Sequence, residues 1–323
     1  MELKDAHLLV TPTSFGRQDP QLHKHLEATA GSVQYNPFDR PMKAAELIEV
    51  IPGIDGYIAG LDEINRSVLQ AANRLRAIAR DSVGVSNIDL AEAKKKRIIV
   101  TGTIGANSAS VAELTIAFIL NLARSIFDAH FATRSGGWPR ISGLSLENKV
   151  VGLIGFGAIG KEVSKRLQPF DCRILAYDPA PDEIKAETLR VRLCTLDELI
   201  QQADFVSLHA VLTEETRGMV DKAFLAAMKP GAFLINTARG EMIHDEALLD
   251  ALNRGHLAGA ALDVYTDEPP GEDNPLISHP HILCTPHMGS HTNAAMNVMG
   301  WMAPKDCLAA LKGEQPNNVI QGV

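Results

Sequence analysis

The stretch Val150-Val-Gly-Leu-Ile-Gly155-Phe-Gly157-Ala-Ile-Gly160 decides the fold, because an apolar run breaks there into glycines spaced G-x-G-x-x-G. Lys149 to Ile154 reads as a buried parallel strand, and Ala158 to Phe170 as an amphipathic helix with Ile159, Val163 and Leu167 on one face. Strand, glycines and helix thus arrive in the order a phosphate-cradling turn needs. Gly155 turns the chain, Gly157 lets the backbone approach a pyrophosphate and Gly160 allows close packing of helix on strand, with the phosphates at the helix N-terminus. A second apolar strand, Arg173-Ile-Leu-Ala-Tyr, ends in Asp178. An acid roughly 20 residues past the glycines is placed to accept hydrogen bonds from an adenosine ribose and to repel a 2'-phosphate, which selects NAD over NADP. Taken alone, the glycines could be a tight turn in another α/β protein and Asp178 a solvated strand end.

Bulk properties narrow the function classes. A chain of 323 residues exceeds the usual single domain, so two domains are expected. The net charge of -8 argues against nucleic-acid or anionic-membrane partners, and the one basic run, Lys94-Lys-Lys-Arg97, reads as a solvated helix end. Cys172, Cys194, Cys284 and Cys307 lack C-x-x-C spacing and the N-terminus lacks a signal pattern, so a reducing cytoplasm is expected. The longest apolar stretch, Leu114 to Ala123, is shorter than the ~20 residues of a membrane span and reads as a buried or interface helix.

Along the chain, strands are expected at His7–Thr11, Gly31–Tyr35, Gly56–Ala59, Leu75–Ala79 and Arg97–Thr101, alternating with helices near 20–30, 43–50 and 65–72. A long helix from about Ser108 to Ser125 follows, with the domain crossing near Thr103. From Lys149 the alternation restarts with strands at 150–154, 173–177, 204–209, 232–236, 259–263 and 281–285, a sheet of six or seven strands. Thr195-Leu-Asp-Glu198 has capping-box spacing, and Asp245 is expected to cap a helix ending at Gly255. The last helical pattern, through Met299, Trp301 and Leu308, is expected to pack back on the first unit. The expected architecture is α/β with two doubly wound parallel-sheet domains. A Rossmann NAD-binding domain (104–289) is inserted into a flavodoxin-like substrate domain (1–103 and 290–323).

Ligands of open α/β sheets bind beyond the carboxyl ends of the strands, and three polar residues stand there: Arg239, Glu268 and His287. Hydride transfer between NAD and an alcohol or carbonyl needs a group that exchanges protons near neutral pH, which suits histidine with a carboxylate beside it. Arginine suits the holding of a substrate carboxylate by paired charge-assisted hydrogen bonds. The substrate implied is a 2-hydroxy or 2-oxo acid. Singly, each has a bland alternative: a surface ion pair for Arg239, a solvated turn for Glu268, a helix cap for His287.

These residues resemble the D-isomer-specific 2-hydroxyacid dehydrogenase family, especially its phosphoglycerate dehydrogenase branch. The matching pieces are Gly105-Ala-Asn-Ser-Ala-Ser-Val-Ala-Glu113, Gly155 to Gly160, Leu234 to Gly240, Ala261 to Pro269 and Thr285-Pro-His-Met-Gly289, spread over most of the chain. The resemblance implies that Arg239 binds substrate, that His287 is the acid/base with Glu268 its partner, and that Asp263 meets the nicotinamide side of NAD. The cofactor set it implies is Gly155, Phe156, Gly157, Ala158, Ile159, Gly160, Asp178, His209, Val211, Thr237, Ala238, Asp263 and Gly289. It further implies a homodimer built on the nucleotide domain, and a substrate-carboxylate loop of backbone N–H groups at Ser82, Val83 and Gly84. In the phosphoglycerate branch the expected reaction belongs to serine biosynthesis.

The chain departs from that pattern in several places. Members commonly read R-x-G-V-G-x-D-N-I-D where this chain has Arg80-Asp-Ser-Val-Gly-Val-Ser-Asn-Ile-Asp89, so Ser82 replaces a glycine and Ser86 an aspartate. Ile104 stands where T-P-G is usual and Val211 where H-x-P is usual, departures that NAD binding is expected to survive. Phosphoglycerate enzymes often carry an arginine after the strand that here ends at Gly60, so an unphosphorylated acid such as glycerate, lactate, glyoxylate or hydroxypyruvate stands close behind phosphoglycerate. The chain length predicts no regulatory domain and no serine feedback site. Two rivals remain: a zinc site from His279, His281, Cys284, His287 and His291, and an NAD-gated corepressor that binds proteins rather than turning over substrate. No metal is the expectation.

Overall fold

The computed structural model describes residues 1–85 and 87–320, so Ser86 lies outside the described residues. The chain divides into two compact units, Met1–Asn107 with His291–Val323 and Ser108–Ser290. Sequence reading placed the crossings a few residues earlier, after 103 and 289.

The first unit is a five-stranded sheet of β1 (His7–Val10), β2 (Ser32–Tyr35), β3 (Gly56–Ala59), β4 (Ala77–Arg80) and β5 (Ile99–Gly102), all parallel, in the order β2-β1-β3-β4-β5. This is the flavodoxin-like order. β3 and β4 are buried along their whole length, as expected of parallel strands covered on both faces. One face packs on Leu47, Val68, Leu69 and Ile88. The other packs on the long helix Asn293–Lys312 through Ala303, Cys307 and Leu311, so the C-terminal helix does return to this unit.

The second unit is a seven-stranded parallel sheet. Its strands are β6 (Val150–Ile154), β7 (Arg173–Tyr177), β8 (Val191–Leu193), β9 (Phe205–Leu208), β10 (Ala232–Asn236), β11 (Leu257–Leu262) and β12 (Ile282–Cys284), in the order β12-β11-β10-β9-β6-β7-β8. The order reverses beside β6, and such a switch point opens a crevice at the carboxyl ends of its strands. Helix Ser108–Arg124 lies over the sheet with Ala112, Phe118, Ile119 and Ala123 buried, so the longest apolar stretch is a core helix. A second helix, Ile126–Arg134, leaves it at 63°. Among the described residues no single helix is long and apolar enough to cross a membrane.

Some local expectations need correction. Asp245 is the first helical residue, not the cap: His244 takes the cap position and makes no side-chain cap bond. Only half of the Thr195 capping box forms. Thr195 accepts from the Glu198 N–H, while the Glu198 carboxylate reaches Arg192 instead. The basic run is not wholly solvated, since Lys96 Nζ donates to the carbonyls of Leu69 and Ala72 at 2.5 and 2.9 Å and so closes the C-terminus of helix Arg66–Ala71.

Candidate active site

Three loops present the candidate side chains of the second unit, and each leaves the carboxyl end of one of the neighbouring strands β10, β11 and β12. The loop after β10 is shaped by Asn236, a residue that sequence reading passed over as strand. Its side-chain oxygen accepts from the Ala238 N–H at 2.9 Å and its amide donates to the Arg239 carbonyl at 2.8 Å. This buried clamp fixes the turn that presents Arg239. The next residue must be glycine, because a Cβ on Gly240 would lie 2.0 Å from the carbonyl carbon of Tyr265. The Arg239 turn is therefore seated directly on the loop that holds Glu268.

Arg239 donates one hydrogen bond, from Nη1 to the Ala238 carbonyl at 2.6 Å, and no carboxylate lies in salt-bridge reach of it among the described residues. The surface ion pair that would make it ordinary is absent from that set. A half-buried guanidinium with unused donors suits an anionic ligand.

Asp263 follows β11 and is 1% exposed. Its carboxylate accepts from the Thr285 hydroxyl at 2.6 Å, the Met288 N–H at 2.8 Å and the Gly289 N–H at 2.9 Å. Three such bonds compensate the burial of the charge. Asp263 thereby holds the loop after β12 on both sides of His287. That histidine takes a left-handed backbone conformation, φ 50°, so it turns the chain and does not cap a helix.

His287 Nδ1 lies 2.6 Å from Glu268 Oε2, and the other Glu268 oxygen accepts from the Tyr265 N–H at 3.1 Å. A carboxylate can only accept, so Nδ1 carries the proton and Nε2 is left for other partners. Tyr265 was not foreseen. Its hydroxyl donates to the carbonyls of Leu262 and Thr285, tying the loops after β11 and β12 together.

At the switch point, Gly155 has φ 99° and its Cα packs on the His209–Ala210 backbone. A Cβ on Gly160 would lie 2.3 Å from the Gly155 carbonyl, which accounts for close packing of helix Ala158–Leu167 on β6. A Cβ on Gly157 would meet nothing within 4 Å, so no intramolecular contact demands that glycine. The open space above it fits a pyrophosphate on the N–H groups of Ala158, Ile159 and Gly160.

Asp178 accepts from the Phe156 N–H at 2.8 Å and the Ala180 N–H at 2.9 Å, so it also braces the glycine turn. Each oxygen keeps a second lone pair for a ribose hydroxyl. His209 is half-buried, with Nε2 2.9 Å from Ser207 Oγ and a buried Nδ1 that has no hydrogen-bond partner among the described residues. Burial pulls its pKa down to about 3, so the ring is neutral. Thr237 is buried beside Thr115, their hydroxyls 3.3 Å apart, Ala238 is buried in its turn, and Val211 is 75% exposed.

Three of the five residues of the zinc rival have other partners. His279 faces Asn253, Cys284 Sγ lies against the Leu276 carbonyl, and His287 is held by Glu268. Among the described residues no group of three or more His, Cys, Asp or Glu is arranged to hold a metal ion.

Ser82, Val83 and Gly84 belong to the first unit, just past β4. Ser82 adopts no left-handed conformation, so a side chain replaces the expected glycine without backbone strain. Its hydroxyl donates within its own loop to the Gly84 carbonyl at 3.2 Å. Past β3, Gly60 is hemmed in: a Cβ would lie 3.0 Å from Pro12 Cα and 3.2 Å from Asp62 Oδ2. The fully buried Asp62 accepts from the Gly60 N–H at 2.9 Å, the Tyr57 hydroxyl at 3.0 Å, the Met42 N–H at 2.7 Å and the Thr11 hydroxyl.

With this geometry in place, residues 116–289 match the model of the D-isomer specific 2-hydroxyacid dehydrogenase NAD binding domain. The chain belongs to the D-isomer-specific 2-hydroxyacid dehydrogenase family. It is 39% identical over 279 residues to a D-3-phosphoglycerate dehydrogenase of Methanocaldococcus jannaschii, covering 85% of this chain and 53% of that one. The chain therefore spans about half the length of that relative. It is 38% identical over 290 residues to a glyoxylate reductase of Thermofilum pendens, covering 87% of this chain and 86% of the other. Among solved structures it is similar to the TT0316 protein of Thermus thermophilus, with a TM-score of 0.86, 36% identity and coverage of 97% and 99%.

Proposed function

We propose that the protein is an NAD-dependent dehydrogenase interconverting a D-2-hydroxy acid and its 2-oxo acid. The observation that carries this reading is the His287–Glu268 pair, 2.6 Å apart, one loop from an arginine with unused donors. NAD supplies the hydride acceptor when bound, and the donor in the reverse direction. The glycine turn with Asp178 holds its adenosine half, while His209, Val211, Thr237, Ala238, Asp263 and Gly289 line its course.

In oxidation, Nε2 of His287 accepts the proton of the substrate hydroxyl, and Glu268 balances the imidazolium through Nδ1. In reduction the same nitrogen returns the proton to the carbonyl oxygen. Arg239 binds the substrate and polarises its reacting C–O bond, and the backbone N–H groups of Ser82, Val83 and Gly84 are assigned to a substrate carboxylate.

Overall likeness supports a 3-phosphoglycerate dehydrogenase, with a place in serine biosynthesis. A second reading, an unphosphorylated acid of the glyoxylate, hydroxypyruvate or lactate type, is favoured by a specific observation. Gly60 offers no cation, and the N–H and hydroxyl donors around it are already taken by Asp62, whose charge would repel a phosphate. The corepressor reading has no feature of its own to support it. A homodimer built on the nucleotide-binding unit is supported by the exposed apolar side chains Phe127, Phe131 and Trp138 beyond its long helix.

The test is NADH oxidation with a panel of 2-oxo acids, phosphorylated and not, beside an Arg239→Ala control. Turnover lost in the control is expected. Bound NADH with no turnover on any 2-oxo acid would put the binding-protein reading first.

A further inference from the structure

Among the described residues, two buried side-chain oxygens in the first unit have no hydrogen-bond partner: Asp81 Oδ1 and Thr103 Oγ1. An unpaired buried polar atom costs about 1–3 kcal/mol, so a fold that keeps two together calls for a reason. Their positions are related. Arg80 of β4 pairs in register with Gly102 of β5, and Asp81 and Thr103 are the next residue on each strand, at the carboxyl edge where ligands of such sheets bind. The Thr103 N–H donates to the Ser82 carbonyl at 3.0 Å, so the two residues flank the root of the Ser82–Gly84 loop.

Neighbouring groups do not complete either side chain. Arg80 is 4% exposed and directs Nε to Asn87 Oδ1 at 3.1 Å and Nη1 to the Ala59 carbonyl at 3.3 Å. The Ser82 hydroxyl turns to Gly84, and Asp62 is saturated by its own donors. What remains is an acceptor and a hydroxyl at the ends of two neighbouring strands. A ligand hydroxyl complements that pair, donating to one and accepting from the other, whereas a methyl group leaves both unpaired and a phosphate sets its negative charge against a carboxylate.

We propose that Asp81 and Thr103 form the side-group subsite of the substrate and select a 2-oxo or 2-hydroxy acid that carries a free hydroxyl on carbon 3. The inference rests on the reading of Ser82–Gly84 as the loop that binds the substrate carboxylate, which brings carbon 3 to the base of that loop. Burial pushes the Asp81 carboxyl up to about 7, so near neutrality it meets the hydroxyl either as acceptor or as donor.

The experiment compares kcat/KM for hydroxypyruvate, pyruvate and 3-phosphohydroxypyruvate in wild type, Asp81→Asn, Thr103→Val and Thr103→Ser, with NADH fluorescence reporting that each variant still binds cofactor. Wild type is expected to prefer hydroxypyruvate over pyruvate by roughly 10- to 100-fold. Thr103→Val is expected to cut that ratio about tenfold through KM, Asp81→Asn to lower it less because the amide still accepts, and Thr103→Ser to restore it. An unchanged ratio in Thr103→Val, or a wild-type preference for the phosphorylated acid, overturns the subsite while leaving the dehydrogenase intact. Turnover of no 2-oxo acid overturns both.

Discussion

Asp81→Asn should make the protein more stable at neutral pH, with a gain that vanishes in acid. Burial raises this carboxyl from 3.8 to about 7, against the opposing pull of Arg80. In the unfolded chain it releases its proton near the ordinary value, so between pH ~4 and ~7 the unfolded state loses the proton first and wild-type stability falls as pH rises. A shift of roughly three pH units at about 1.4 kcal/mol each gives an upper bound of about 4 kcal/mol, complete above pH ~7. Asparagine is nearly isosteric and has no charge to bury, and the other titrating groups cancel in the difference between the two proteins. Thermal and urea unfolding of both proteins at half-unit steps from pH 4.5 to 8 would read it. The stability difference should widen towards Asn by about 2–4 kcal/mol across the series. A difference that stays flat with pH would refute the claim that Asp81 Oδ1 is buried without a compensating donor.

Other outcomes follow from the same geometry. Glu268→Gln keeps shape but removes the charge that stabilises a protonated His287, and kcat should fall by roughly 10²- to 10³-fold with NADH binding retained in a fluorescence titration. Gly240→Ala places a methyl within 2.0 Å of the Tyr265 backbone, so melting should show a loss of about 3 kcal/mol or more. His209 is held neutral by burial, its pKa down at about 3, so wild-type stability is lost as pH falls from about 6.5. The full loss is up to about 5 kcal/mol, and His209→Gln should flatten that part of the acid titration.

The sequence alone determined the succession of apolar strands and helices, the NAD-type glycine turn and the positions just past β10, β11 and β12 where Arg239, Glu268 and His287 stand. Each of those signals is local: a run of apolar residues, a glycine spacing, a polar residue after a strand. The tertiary structure decided what such signals leave open, namely which groups share hydrogen bonds. Asn236 reads as one more strand residue, yet it folds back to shape the Arg239 turn. Tyr265 reads as loop, yet its hydroxyl and N–H join two loops and orient Glu268. Asp178 reads as a ribose ligand, and in the fold it also braces the glycine turn. Asp245 has the side chain of a cap but falls one residue inside the helix. The unpaired oxygens of Asp81 and Thr103 have no sequence signature at all. They lie 22 positions apart along the chain and stand at the ends of the paired strands β4 and β5, and only counting donors and acceptors in three dimensions reveals that both lack a partner among the described residues.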